Sequence, residues 1–155
     1  MAPLSPHKAS MYIGKVSEIT EELYTALQQL IPQLTTNKTA PSWDELTALV
    51  NSESSALLIA RYPDENAPIA GILTLAVYRV PTGVRSIVED VVVDENMRRH
   101  GIGEALILQA IAMARDAGAR GVSLTSNPMR EAANHLYQSI GFRRRETNAY
   151  YLEIK

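Results

Sequence analysis

Hydrophobic positions change period several times along this chain, and each change marks a predicted element. Loose alternation over 9–17, with Met11, Ile13 and Val16 apolar, predicts a first strand. From Thr20 the period is helical, and Leu23, Leu27, Leu30 and Leu34 fall on one stripe. Thr20 suits the N-cap, and Glu21 and Glu22 suit the positive end of the helix dipole. Pro32 and the polar residues after it end or loosen this helix. Ser42-Trp43-Asp44-Glu45 then reads as a capping box, opening a second helix whose apolar face is Leu46, Leu49 and Val50.

Strands follow at 56–62, 69–80 and 84–93. Pro63 to Asn66 forms the first turn between them and Pro81-Thr82-Gly83 the second. In the middle strand Ile69, Leu73, Leu75 and Val77 are placed on one side. Connections this short make the three an antiparallel meander. Residues 101–117 are helical and apolar nearly all round, so this helix is expected to be largely buried, with Gly118 as its stop. Residues 120–125 read as a strand reached through a helix, hence parallel to the strand before it. A loop at Ser126-Asn127-Pro128, a helix over 130–140 ended by Gly141, and a closing hairpin of Phe142 and 150–154 complete the chain. The order is β–α–α–β–β–β–α–β–α–β–β.

The 155 residues suit one domain spanning 1–155, with 1–8 read as a flexible lead-in that lacks the apolar stretch of a signal peptide. A net charge of −2 argues against a general nucleic-acid or membrane-surface binder, and no apolar run approaches bilayer length. Cysteine is absent, which excludes disulfides, a thiolate metal site and a cysteine acyl-enzyme. His7, His100 and His135 lack metal-ligand spacing, so no metal is expected and the simplest location is cytoplasmic.

The chemistry concentrates where the strand Val88 to Val93 runs through an acidic turn into Arg98-Arg99-His100-Gly101-Ile102-Gly103 and a helix. Orphan backbone N–H groups and the macrodipole make that helix N-terminus an anion site, and a phosphorylated ligand is expected there. A P-loop needs Lys and Ser or Thr after its last glycine, but Glu104 and Ala105 follow Gly103. A dinucleotide fingerprint needs a third glycine, and its place holds Leu106. The acidic ribose-binding residue is also missing around Gly121 to Leu124. Glycine at 101 and 103 lets backbone N–H groups approach a pyrophosphate, with Ile102 pointing into the core. Arg98 and Arg99 add charge, while Arg99 and His100 either touch the ligand or line a solvated loop.

Glu89 and Asp90 interrupt an apolar strand. Period two puts one on each face, so at least one is expected to point inward, where burial would raise its pKa toward that of a general base. An exposed face or a salt bridge is the alternative. Tyr137 reads on its own as a core tyrosine on an apolar helix face, with a phenol pKa near that of a thiol. The run Arg143-Arg144-Arg145 reads best as a solvated, edge-guarding strand.

Arg98-x-x-Gly101-x-Gly103 directly after a strand resembles the pyrophosphate loop of the GNAT (Gcn5-related) acyl-CoA N-acyltransferases, and the predicted element order is similar to theirs over almost the whole chain. The resemblance implies an α/β (α+β) fold: a central, mixed, mostly antiparallel sheet of about seven strands, with a splayed parallel pair in the middle and helices on both faces. It implies acetyl-CoA as co-substrate, with the strand Val91-Val92-Val93 meeting the pantetheine arm through its backbone and Arg98 to Gly103 meeting the pyrophosphate. Ala132-Ala133-Asn134-His135-Leu136-Tyr137 with Gly141-Phe142 is similar to the family's segment in which Tyr protonates the CoA sulfur. Family members often carry Asn where this chain has Arg130, and whether Asn127 or Asn134 takes over that cofactor contact is open. Residues 87–94, IVEDVVVD, also look like the matching strand of eukaryotic glucosamine-6-phosphate N-acetyltransferases, whose acidic pair lies at the reaction centre.

The expected activity is transfer of acetyl from acetyl-CoA to a primary amine of a small molecule, with Glu89, helped by Asp90, as base and Tyr137 as acid. Glucosamine 6-phosphate, a protein N-terminus, an acyl-CoA-binding module without turnover and a nucleotide-binding regulatory domain are the alternatives. The apolar final hairpin and the family's habit point to a homodimer.

Overall fold

A computed structural model describes residues 10–155; the lead-in expected over 1–8 lies outside the described residues. The elements, in order, are β1 (Tyr12–Lys15), α1 (Glu21–Leu34), α2 (Trp43–Val50), β2 (Ser55–Arg61), β3 (Ile69–Val80), β4 (Gly83–Val93), α3 (Ile102–Asp116) and α4 (Glu131–Ile140). The chain divides into two compact units, meeting in sequence at Thr125 and Ser126.

In the first unit β1 to β4 form an antiparallel sheet in chain order. Thr20 caps α1 through its hydroxyl, which accepts from Leu23 N–H at 3.2 Å. Ser42 and Glu45 close the capping box of α2 in both directions. Pro32 is tolerated within the end of α1, where the helix runs on to Leu34.

Helices cover both faces of the sheet. On one side Leu23, Leu27, Leu30 and Ile31 of α1 and Leu46 of α2 pack with Leu57, Ile72 and Val92. Gly71 looks the other way, where a Cβ would meet Ile102 and Leu106 of α3 at 3.2 and 3.3 Å. Its partners in register, Ala60 on β2 and Val93 on β4, mark the same face. Ile69 joins the α1 side, not that of Leu73, because the β2–β3 register slips between Ala60 and Arg61.

Two expectations change. The described sheet has four strands rather than about seven. The segment 120–125 pairs with β4 through a single parallel bridge, Ile87 to Ser123, and residues 142–155 form no strand. Strand propensity is realised only against a partner edge, and Tyr150, Tyr151, Leu152 and Ile154 lie exposed without one. Second, α3 buries one stripe only, Ile102, Leu106, Ile107, Ala110 and Ala114, while Leu108 is 49% exposed. Apolar composition all round did not mean burial all round.

In the second unit α4 ends at Gly141, whose φ of 120° is open to glycine and strained for other residues. The carbonyl of Tyr137 accepts from Gly141 N–H and from Phe142 N–H, at 3.2 and 3.0 Å, which closes the helix.

The one-sided burial of α3 is directly testable. Leu106→Ala should cost about 3 kcal/mol in urea unfolding, as a cavity in a packed core does, whereas Leu108→Ala should stay within about 0.5 kcal/mol. Equal losses would contradict the placement of the helix.

Candidate active site

β4 carries the central irregularity. Thr74 pairs with Glu89 and Ile72 with Val92, so Leu73 alone stands against both Asp90 and Val91. This is a β-bulge, and Asp90 takes a positive φ of 50° to make it. The extra residue breaks the alternation on which the inward carboxylate was predicted. Val88 and Val92 are buried, whereas Glu89 and Asp90 are consecutive and both exposed. The acidic pair is therefore a solvent-facing feature. Val91 and Val93 are half-buried.

On its far edge β4 touches the segment after α3 only briefly. Val88 N–H donates to Ser123 O at 2.9 Å and Ser123 N–H to Ser86 O at 3.0 Å. The buried Ser86 hydroxyl adds a bond to Gly121 O at 2.7 Å. Sequence reasoning missed Ser86, although a small polar residue within an apolar strand was the available signal. Beyond this contact no further pairing of the two segments occurs among the described residues.

After β4 the chain is tied down before it reaches the glycines. Asp94 N–H donates to Ala70 O at 2.8 Å, and the Asp94 carboxylate accepts from Asn96 N–H at 2.9 Å, capping a short turn over Glu95–Met97. Gln33 of α1 accepts from Glu95 N–H at 2.9 Å. Arg99 then takes φ 66° and Gly101 φ 77°, two left-handed residues flanking His100. Gly101 caps α3 without a side-chain hydrogen bond, and the space where its Cβ would stand is open. The first-turn N–H groups of α3 thus lack a side-chain acceptor, which is the condition for anion binding. A pyrophosphate fits this arrangement. Arg98, Arg99 and His100 are exposed beside it, and Ile102 is buried as expected. The His100 ring stacks on Tyr62, at 4.6 Å between centroids and 24° between planes.

The second unit holds Tyr137 and Asn134. Tyr137 is the buried residue of α4 and meets Phe142 edge-on at 5.9 Å. Burial pushes its phenol above the ordinary value of 10.0, against the smaller opposing pull of the Arg130 charge. Asn127 O accepts both from Arg130 N–H and from the Asn134 side-chain amide, each at 3.0 Å. The Asn127 side chain accepts from Met129 N–H at 2.8 Å. Both asparagines therefore help shape the start of α4. Arg143, Arg144 and Arg145 are exposed. No group of three or more potential metal ligands occurs among the described residues.

The Acetyltransferase (GNAT) family matches residues 19–142. No curated protein matches the sequence significantly. Among solved structures, an aminoglycoside acetyltransferase from an uncultured soil metagenomic sample superposes with a TM-score of 0.80 at 23% identity, over 94% of this chain and 97% of that one. An acetyltransferase of Trypanosoma brucei gives a TM-score of 0.73 at 25% identity, over 94% and 100%. AAC(6′)-Iy, in complex with the bisubstrate analogue CoA-S-monomethyl-acetylneamine, gives 0.73 at 17%, over 94% and 99%.

The raised Tyr137 pKa has a sign that can be checked. Above pH 10 the unfolded phenol gives up its proton before the folded one, so the native state binds more protons and stability falls as pH rises. Urea titrations between pH 9 and about pH 11 should show the wild type losing more stability than Tyr137→Phe. Parallel losses would mean that the phenol is not desolvated.

Proposed function

Because this chain belongs to the GNAT acetyltransferase family, whose members use acetyl-CoA, we propose that it transfers the acetyl group directly to a primary amine of a small, cationic molecule. The observation that carries this reading is the loop from Arg98 to Gly103, which comes after a bulged strand and delivers two left-handed residues to an uncapped helix N-terminus. Family membership spans both compact units, which supports one catalytic domain.

Acetyl-CoA supplies an activated carbonyl carbon and a thiolate leaving group. Each remaining demand falls on a residue of this chain. Backbone N–H groups of Gly101, Ile102 and Gly103 hold the pyrophosphate, assisted by Arg98, Arg99 and the loop position of His100. Backbone groups of Val91 to Val93 orient the pantetheine arm, and Asn134 is the side chain assigned a contact to the cofactor. Glu89, with Asp90, attracts the cationic ammonium and takes one proton from it, directly or through water, so that the neutral amine can attack. The nitrogen loses its second proton to water as the new C–N bond forms. Tyr137 delivers its proton to the sulfur as the C–S bond breaks. A phenol is protonated through the neutral range, as an acid must be, although burial moves the Tyr137 pKa away from that of a thiol.

The exposed carboxylates support a cationic acceptor such as an amino sugar, a polyamine or an amino acid. Aminoglycosides enter the test because structural neighbours are described as acting on or binding them, one in complex with sisomicin. Glucosamine 6-phosphate stays in it for the likeness of residues 87–94. The exposed apolar side chains of Tyr150, Tyr151, Leu152 and Ile154 support self-association into a homodimer.

Release of CoA thiol from acetyl-CoA, followed across a panel of sisomicin, glucosamine 6-phosphate, spermidine and amino acids, tests the reading. The protein contains no cysteine and adds no thiol background. Release should depend on one amine class, and Tyr137→Phe and Glu89→Gln should each lower kcat roughly 10²-fold. Binding of acetyl-CoA without release on any amine would favour a binding module.

A further inference from the structure

The loop that makes the anion site is strained. Arg99 is a non-glycine residue at φ 66°, with Gly101 at 77° two residues later. Such a conformation persists only where surrounding structure over-determines it. At its start the loop is held by Ala70 at Asp94 and by Gln33 at Glu95, and neither contact reaches further. Between Glu95 and the first turn of α3, the aromatic contact that reaches the strained stretch is the stack of His100 on Tyr62.

Tyr62 is well placed to serve as an anchor. It comes directly after β2, at the start of the turn into β3, and that turn is internally fastened. Arg61 donates to Ala67 O at 2.8 Å across its mouth and pairs with Glu22 of α1. Within it Asn66 N–H donates to the Asp64 carboxylate at 2.9 Å and Ala67 N–H to Asp64 O at 3.2 Å. The ring of Tyr62 is thus presented by a stiff support, and the imidazole of His100 lies flat against it.

We infer that Tyr62 is a positioning residue for the anion site. Its stack on His100 holds Arg99 and Gly101 in their left-handed conformations, so the N–H groups of the loop converge before the ligand arrives. His100 then serves the site through its ring's contact with Tyr62, not through a bond to phosphate. This rests on the reading that the loop binds the pyrophosphate of CoA. The benefit is preorganisation, which appears as affinity for the cofactor and leaves the chemical step alone.

Calorimetric titration with CoA of the wild type, Tyr62→Ala, Tyr62→Phe, His100→Ala and the double alanine variant tests it. Tyr62→Ala and His100→Ala should each weaken CoA binding about five- to tenfold, and the double variant no further, because both remove one contact. Tyr62→Phe, which keeps the ring, should bind within about twofold of wild type. In the free protein, amide exchange over residues 98–103 should quicken in Tyr62→Ala while exchange in α1 stays unchanged. Wild-type affinity in Tyr62→Ala would overturn the inference. So would a His100→Ala loss much larger than that of Tyr62→Ala and additive with it, since His100 would then touch the ligand directly. If Tyr62→Ala does not fold, wild-type affinity in His100→Ala, or a loss in Tyr62→Phe as large as that in His100→Ala, overturns the inference instead. A wild type that binds no CoA would remove the underlying pyrophosphate reading, and the positioning role with it.

Discussion

Opposite Leu73, β4 has two residues where a regular strand has one, and that mismatch sets what the strand can do on either side of it. Ahead of the bulge Val88 is buried and its N–H bonds Ser123. Past the bulge Val92 joins the core under α1. The same inversion of parity leaves Glu89 and Asp90 side by side in solvent, between two buried valines. A left-handed aspartate costs on the order of 1 kcal/mol. Burying the two valines returns more than that, at roughly 1.5–3 kcal/mol each. The bulge is thus a stable irregularity of β4.

Between β4 and α3 the chain is governed by backbone conformation more than by side-chain charge. Arg98 and Arg99 are exposed. The N–H groups at the start of α3 have no side-chain cap, because the residue before them is the left-handed Gly101. Buried Ile102 locks that turn to the sheet through contact with the Gly71 position.

Much of this was legible in the residues. Thr20, the Ser42 to Glu45 box and Gly118 announced helix ends because caps are local chemistry, decided within three or four positions. Gly101 was legible for the same reason: a strand-to-helix turn needs a residue free to take positive φ. The bulge at Asp90 was not, since it depends on how many residues β3 sets against β4, and period two assumes equal numbers. Leu108 was misjudged because composition does not say which side of a helix a partner occupies. The segments 120–125 and 150–154 carry strand-forming residues, yet pairing is a property of two edges, and only Ser123 meets one. The Tyr62–His100 stack joins residues far apart in sequence and left no local mark.

The central claim is that the turn at Gly101 binds the pyrophosphate of CoA through backbone N–H groups. Comparing CoA with pantetheine, which lacks the pyrophosphate, by calorimetry on the wild type and Gly101→Val tests it most directly. Valine is strained at a φ of 77° and places methyl groups where the space is now open. The account predicts that the wild type prefers CoA by about tenfold or more and that Gly101→Val abolishes the preference. An undiminished preference in Gly101→Val would contradict it.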